Sequence, residues 1–193
     1  MKKLFILLVV AAMVALGSGV YFQNDGAEPS AAQADAGDGR VLLRNASGEP
    51  VGVAKLTQED GEVLVRVTAH DLPAGFHGFH VHAVGICTAP FASAGGHFNP
   101  AAQGHPGHAG DMPVLLMNAD GTGEARFKTD RYDVADLFDA DGSALIIHAD
   151  PDNYANIPAR YLDPPPALSA VDAATLNTGD AGGRLACGVV EGG

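Results

Sequence analysis

Tryptophan is absent from the 193 residues, aromatic side chains make up 6 %, and cysteine occurs only twice. A disulfide-dense scaffold is therefore excluded, and the core must be built mainly from aliphatic side chains. Cations are also scarce. Eleven Lys and Arg stand against 23 Asp and Glu, a formal net charge of −12, and no basic block occurs in sequence. This argues against nucleic-acid binding. No Cys-x-x-Cys pair is present, and no long helical hydrophobic period. What is abundant is glycine, at 25 residues, in a chain that is 47 % hydrophobic. That suits one domain with a substantial core, made of many short strands joined by tight turns.

The first residues read as an export signal. Lys2 and Lys3 precede the uninterrupted apolar run Leu4 to Leu16, and Gly17-Ser18-Gly19 follows. No Cys follows that run, which excludes a bacterial lipoprotein anchor. Two readings stay open. One is a signal peptide over residues 1–19; the other is an uncleaved anchor, because Leu4 to Phe22 has about the length that spans a bilayer. Gly17 to Gly19 weakens the helix there and favours cleavage. Polar, small, unpatterned residues then form a linker over 20–38, leaving 39–193 as the folded domain.

Strand signals begin at Arg40. Val63, Val65 and Val67 alternate with Leu64, Arg66 and Thr68, and Ala125 and Phe127 alternate with Glu124, Arg126 and Lys128. Turn clusters separate the runs, at Ala46 to Pro50, Glu59-Asp60-Gly61, Asn118 to Gly121 and Asp139 to Gly142. This spacing predicts an all-β fold, an antiparallel sandwich or barrel. At most one short helical turn is expected, within Asp130 to Asp139. Two long irregular stretches remain, Val84 to Pro113 and Ala149 to Gly183. Loops of that length in a small domain point to function.

Chemistry concentrates between Gly75 and Asp111, which holds six of the eight histidines. His80 and His82 are spaced i, i+2, so a strand presents both imidazoles on one face. His97 follows in a glycine-rich turn, then His105, His108 and Asp111. His148 ends the apolar run Ala144 to Ile147 and can close the cluster. These ligands exceed what one tetrahedral metal needs, so the residues predict two metal sites. His70 reads as an ordinary surface histidine. His77 has the opposite strand parity to His80 and should point away from the metals.

The blocks GFHGFHVH, GGHFNP, HAGD and GDAGGRLACGVV, in that order, resemble the signature blocks of the copper/zinc superoxide dismutases, and span nearly all of the chain beyond the linker. The resemblance implies a Greek-key β-barrel that dismutates superoxide to dioxygen and hydrogen peroxide with a redox-cycling copper and a structural zinc. It implies copper held by His80, His82, His97 and His148, and an all-imidazole set suits that metal. It implies a zinc held by His97, His105, His108 and Asp111, with His97 shared, and three imidazoles with one carboxylate form a closed zinc shell. Asp152 matches the carboxylate that links ligands of the two metals, and His77 a histidine that pins the loop. Arg184 is implied to dock the superoxide anion, with His97 as its catalytic companion and Thr178 narrowing the channel. Cys87 and Cys187 form an even pair in an exported protein, so a disulfide is the default, with free buried thiols as the alternative. The resemblance has it tie the metal-binding loop to the strand after Arg184.

Two features depart from the family pattern. Only Pro106 and Gly107 separate His105 from His108, and Asp163-Pro164-Pro165-Pro166 lies inside the channel loop. Pro106 fixes one backbone angle, and Gly107 permits a left-handed one that lets the chain fold back. The channel loop carries only Arg160 besides Arg184 against five aspartates, so electrostatic steering of the anion is expected to be weak. The rival function is a non-enzymatic copper-binding or copper-delivery protein on the same fold. The implied partner is the small superoxide anion, with no nucleic acid and with membrane contact only if the leader is retained. Oligomeric state is left open.

Overall fold

The computed structural model describes residues 37–157 and 172–193. The leader, the linker up to residue 36, Arg160, Asp163 and the three prolines Pro164 to Pro166 lie outside the described residues. The architecture is all-β, as expected. Ten strands form one antiparallel sheet: β1 (Asp38–Asn45), β2 (Pro50–Glu59), β3 (Glu62–Ala69), β4 (Gly75–His77), β5 (Phe79–His82), β6 (Leu115–Met117), β7 (Gly123–Thr129), β8 (Ala144–His148), β9 (Arg184–Val189) and β10 (Glu191–Gly192). Their spatial order is β4-β6-β7-β3-β2-β1-β9-β8-β5, with β10 added beside β1.

The hairpin between β2 and β3 shows how local chemistry sets register. Glu59 pairs with Glu62 across the two residues Asp60-Gly61, both at positive φ (46° and 85°). An Asp-Gly pair of that conformation twists in the same sense as the strands it joins. The register then places Val63, Val65 and Val67 inside and Arg66 and Thr68 outside. Leu43, Leu56, Val65, Phe79, Leu115, Leu145 and Ile147 fill the barrel interior.

The two outermost strands of the sheet, β4 and β5, are consecutive in the chain and joined through the single residue Gly78. The sheet therefore curls until its ends meet, which removes its free edges. Gly78 N–H donates to Asp150 O at 2.9 Å, and His148 N–H donates to Gly78 O at 2.8 Å, so the seam is stitched to β8 and the loop after it.

β8 is buried at all five positions, unlike the alternating β1. Leu145 and Ile147 join the interior, whereas Ala144 and Ile146 pack outside it with Phe91, Ala94 and Cys187. His80 lies opposite Ile146 and His82 opposite Ala144, so both imidazoles project from the outer wall of the barrel. The long loop after β5 lies over this wall. It contains one turn of 3-10 helix, Ala92–Ala94, and is fastened by a Cys87–Cys187 disulfide with a Cα–Cα distance of 5.7 Å.

The helical content differs from expectation in two places, the 3-10 turn at Ala92–Ala94 and the channel loop. The short turn lies where the sequence suggests, as a 3-10 helix at Val134–Phe138. A further helix, α1 (Ala173–Thr178), appears in the channel loop. Asp172 caps it by accepting from Thr175 N–H at 2.8 Å, and Gly179 ends it at φ 58°. These are ordinary helix start and stop residues, seven positions apart, too close to give a hydrophobic period.

The seam yields a prediction. A β-carbon at Gly78 would lie 2.6 Å from Ala181 Cβ and 3.1 Å from His80 Cε1. Gly78→Ala should therefore destabilise the fold by about 1–3 kcal/mol, as overpacking does. Denaturant unfolding measures it; a midpoint equal to wild type would contradict the seam's tightness.

Candidate metal centre

Strand β5 contributes His80 and His82 from one face, and β8 contributes His148. The long loop brings the others by pairing with β5. Val81 N–H donates to Gly110 O at 2.9 Å, Phe98 N–H donates to Val81 O at 2.8 Å, and Gly110 N–H donates to Phe98 O at 2.8 Å. Isolated bridges set His97 opposite His82 and Asp111 opposite His80. The result is two groups of candidate ligand atoms, each group within 4.8 Å of one another. One is His80, His82, His97 and His148; the other is His97, His105, His108 and Asp111. All seven residues are buried, and His97 is common to both groups.

The hydrogen bonds decide which nitrogen of each ring is left for a metal. His80 Nε2–H donates to Asp152 Oδ2 at 2.6 Å, and His105 Nε2–H donates to Asp152 Oδ1 at 2.7 Å. Their Nδ1 atoms are buried without a hydrogen-bond partner. His105 Nδ1 does lie 3.0 Å from Asp111 Oδ2, but out of line for a hydrogen bond. His82 Nδ1–H donates to Gly95 O at 2.9 Å and His148 Nδ1–H to Gly182 O at 3.3 Å. Their Nε2 atoms then face each other as bare lone pairs 3.3 Å apart. Such convergence is repulsive alone and favourable around a cation. His97 Nδ1 lies 2.7 Å from Asp111 Oδ1 and 3.2 Å from His108 Nδ1, so its Nε2 is the nitrogen left for the first group. Orphaned nitrogens, paired lone pairs and donor chemistry all fit copper in the first group and zinc in the second.

Electrostatics prepare the groups differently. Burial lowers His80 to about 4 and His148 to about 3, and carries His82 well below its ordinary value. Those rings are neutral at pH 7, the form a metal needs. Burial also lowers His108. At His105 burial pushes the same way, but contacts with Asp111 and Asp152 outweigh it and raise the ring to about 9. Burial would raise both carboxyls; the close His105 ring and a hydrogen bond from His97 hold Asp111, and hydrogen bonds from His105 and His80 hold Asp152, far below the usual range. In the metal-free protein His105 thus carries a proton that metal binding must release.

The structure brings the seven candidate ligands together, with Asp152 behind them. His77 is buried and turned away from the metals, its Nδ1 2.8 Å from His148 O and its Nε2 2.9 Å from Pro73 O. His70 is exposed beside Asp71. Arg184, Thr178, His82, His97 and His148 line one open cleft of about 300 Å³. The Arg184 guanidinium donates to Phe91 O and to Gly95 O, both in the loop that the disulfide fastens.

The step from His105 to His108 is made differently from expectation. Gly107 does not adopt a positive φ; the His105–Pro106 peptide is cis, and Gly107 N–H donates to Gly104 O at 2.7 Å. Arg131 Nη1 donates to Pro106 O at 2.9 Å and His108 O at 3.1 Å, bracketing the turn. The ring of Tyr154 stacks on His105, and its hydroxyl accepts from Val114 N–H at 2.8 Å. Asp180 and Asn177 also line the cleft. Of these four residues only Asp180 lies in one of the quoted blocks, and the fold alone brings the other three near the site.

A barrel whose outer wall carries two ligand groups sharing one imidazole defines a protein built for two metal ions. A family profile described as copper/zinc superoxide dismutase (SODC) matches residues 51–190. The copper–zinc superoxide dismutase of Mycolicibacterium paratuberculosis is 40 % identical over 167 residues, covering 78 % of this chain and 73 % of that protein. That of Mycobacterium bovis is 38 % identical over 161 residues, covering 76 % and 67 %. Among solved structures, a double mutant of a SOD-like protein from Bacillus subtilis superposes with a TM-score of 0.60 at 32 % identity, over 78 % of this chain and 95 % of that one. The chain belongs to the copper/zinc superoxide dismutase family.

The proton balance gives a testable profile for the chelator-treated protein. Unfolded histidines titrate near 6.5, so below that pH the unfolded state binds protons that folded His80 and His148 refuse. Stability is therefore lost as pH falls from about 6.5 through about 4 and 3. His105 acts oppositely: its contribution is whole below about 6.5 and is lost as pH rises through about 9. Denaturation midpoints should peak near pH 6.5 and fall on both sides. A flat profile from pH 6.5 to 4 would contradict the burial of neutral rings.

Proposed function

We propose that this chain dismutates superoxide, converting two superoxide ions and two protons to dioxygen and hydrogen peroxide. His80, His82, His97 and His148 hold copper, and His97, His105, His108 and Asp111 hold zinc. The observation that carries the reading is the cleft in which Arg184 stands beside three members of the first group, one of them the shared His97. Copper, when bound, supplies the one-electron couple that lets one superoxide be oxidised and the next reduced, while zinc supplies fixed positive charge.

Arg184 binds and orients the anion. Its guanidinium has five N–H donors, and the two carbonyl contacts leave 5 − 2 = 3 for the cleft. Thr178 and Asn177 restrict the opening to a small substrate. His97 Nε2 is the atom that holds the proton passed to the product peroxide, with Asp111 orienting the ring through Nδ1. His77 and Asp152 position the loop and the ligand rings. Asp180 at the cleft opposes steering of an anion, so capture rests on Arg184.

Residues 39–193 constitute the dismutase domain, after a leader over 1–19 and a linker over 20–38. The protein acts outside the cytoplasm, a reading supported by the charged and apolar leader and by a cysteine pair joined as a disulfide. A copper-delivery protein would have no use for a cation held at an anion-sized cleft.

Arg184→Glu should retain both metals and lose superoxide consumption about tenfold or more at low ionic strength, the low end of what a focused charge contributes. The gap should narrow as salt rises. Unchanged turnover in the metal-loaded variant would remove Arg184 from the reaction. Copper binding with no superoxide consumption by the wild type would favour the carrier.

A further inference from the structure

Four of the chain's 11 lysines and arginines stand in one line across the outer wall of the barrel. Arg40 on β1 is paired with Lys55 on β2, Lys55 with Arg66 on β3, and Arg66 with Arg126 on β7. Adjacent strands lie about 4.8 Å apart, so the row spans about 14 Å. Like charges directly opposite one another destabilise a sheet. Of these four, only Lys55 has an ion pair with a described residue, Asp38 at 2.6 Å, while Glu191 borders the row opposite Arg40.

Beside this row, on the same face, runs a second one. Leu42 is paired with Val53 and Val53 with Thr68, and Phe76 is paired with Leu116 farther along the sheet. Leu42, Val53, Phe76 and Leu116 are 46 %, 52 %, 54 % and 47 % exposed, four of the seven exposed large apolar side chains among the described residues. Glu124, paired with Thr68, is the one acid among them. A groove of about 520 Å³ lies over Arg40, Leu42, Val53, Lys55, Arg66 and Thr68.

We propose that this face docks on an anionic phospholipid bilayer, the cation row at the phosphates and the apolar row at the interface. Charge complementarity selects the face, since a chain of net charge −12 is repelled from such a surface elsewhere. The aliphatics select the bilayer over a soluble polyanion, which gains nothing from them, and an interfacial contact joins apolar area to basic charge. The residues preceding β1 in sequence include the apolar run Leu4 to Leu16, and Arg40 and Leu42 are the first outward residues of the domain after it. The copper ligands His80, His82 and His148 lie on β5 and β8, across the closed barrel from β7, β3 and β2. Docking therefore leaves the Arg184 cleft open to solution.

The test is sedimentation of the metal-loaded exported protein with vesicles of phosphatidylcholine containing 30 % phosphatidylglycerol, or none, alongside Arg66→Glu/Arg126→Glu and Leu42→Ser/Val53→Ser variants bearing the same N-terminus. Wild type should partition onto anionic vesicles and not neutral ones, and half-molar salt should release it. Each cation removed should cost about fivefold in partition. The charge variant should keep its superoxide consumption and melt no lower than wild type, because position 66 then attracts Lys55 while the pair at 66 and 126 stays like-charged as before. The apolar variant should also lose partition. Equal partition of wild type and charge variant, or no partition by either, overturns the proposal. So does full partition by the apolar variant, or capture by soluble polyphosphate without capture by vesicles, which would make the row a polyanion site.

Discussion

The structure depends most on one buried carboxylate. Asp152 accepts from His80 Nε2–H, His105 Nε2–H and Tyr154 N–H, at 2.6, 2.7 and 2.6 Å. An ionised carboxylate taken out of water is costly unless its oxygens are satisfied, and here both are. The same contacts choose the tautomer of a ring in each ligand group and leave both Nδ1 atoms without partners. One residue therefore orients ligands of both metals and also fastens the loop after β8 to β5 and to the zinc turn. His97 links the groups directly, Asp152 from behind.

A second dependence concerns the substrate cation. Arg184 begins β9 beside His148, but its guanidinium is placed by the Phe91 and Gly95 carbonyls. Those carbonyls belong to the segment that Cys87 ties to Cys187, three residues beyond Arg184. The disulfide, the apolar cluster under it and the position of the cation are thus one arrangement. β8 is apolar on both faces because this segment covers its outer side.

The fold class and the ligand set were legible because each rests on short-range spacing. Alternation sets the faces of β3 and β7, His-x-His sets two ligands on one face, and His-x-x-Asp sets two more within one turn. Asp152 was legible only by resemblance, since nothing local marks it as a link between rings 72 and 47 residues away. Arg131, Tyr154 and Asn177 were not legible, because tertiary contact alone gives them their neighbours. The short helix α1 hid behind its brevity, although Asp172 and Gly179 marked its ends. The basic row was invisible for another reason. Arg40, Lys55, Arg66 and Arg126 are scattered in sequence and become neighbours only through the pairing register. A composition that argues against polyanion binding still concealed a local surface of the opposite sign.

Two metals sharing His97, across a turn of only two residues between His105 and His108, are the centre of the proposed chemistry. Copper and zinc quantified in the same preparation that is assayed for superoxide consumption, after removal of loosely bound ions, tests it most directly. About one copper and one zinc per chain are expected, with consumption proportional to copper content. Full activity with copper and no zinc would show that His105, His108 and Asp111 do not form the second site, and would contradict it.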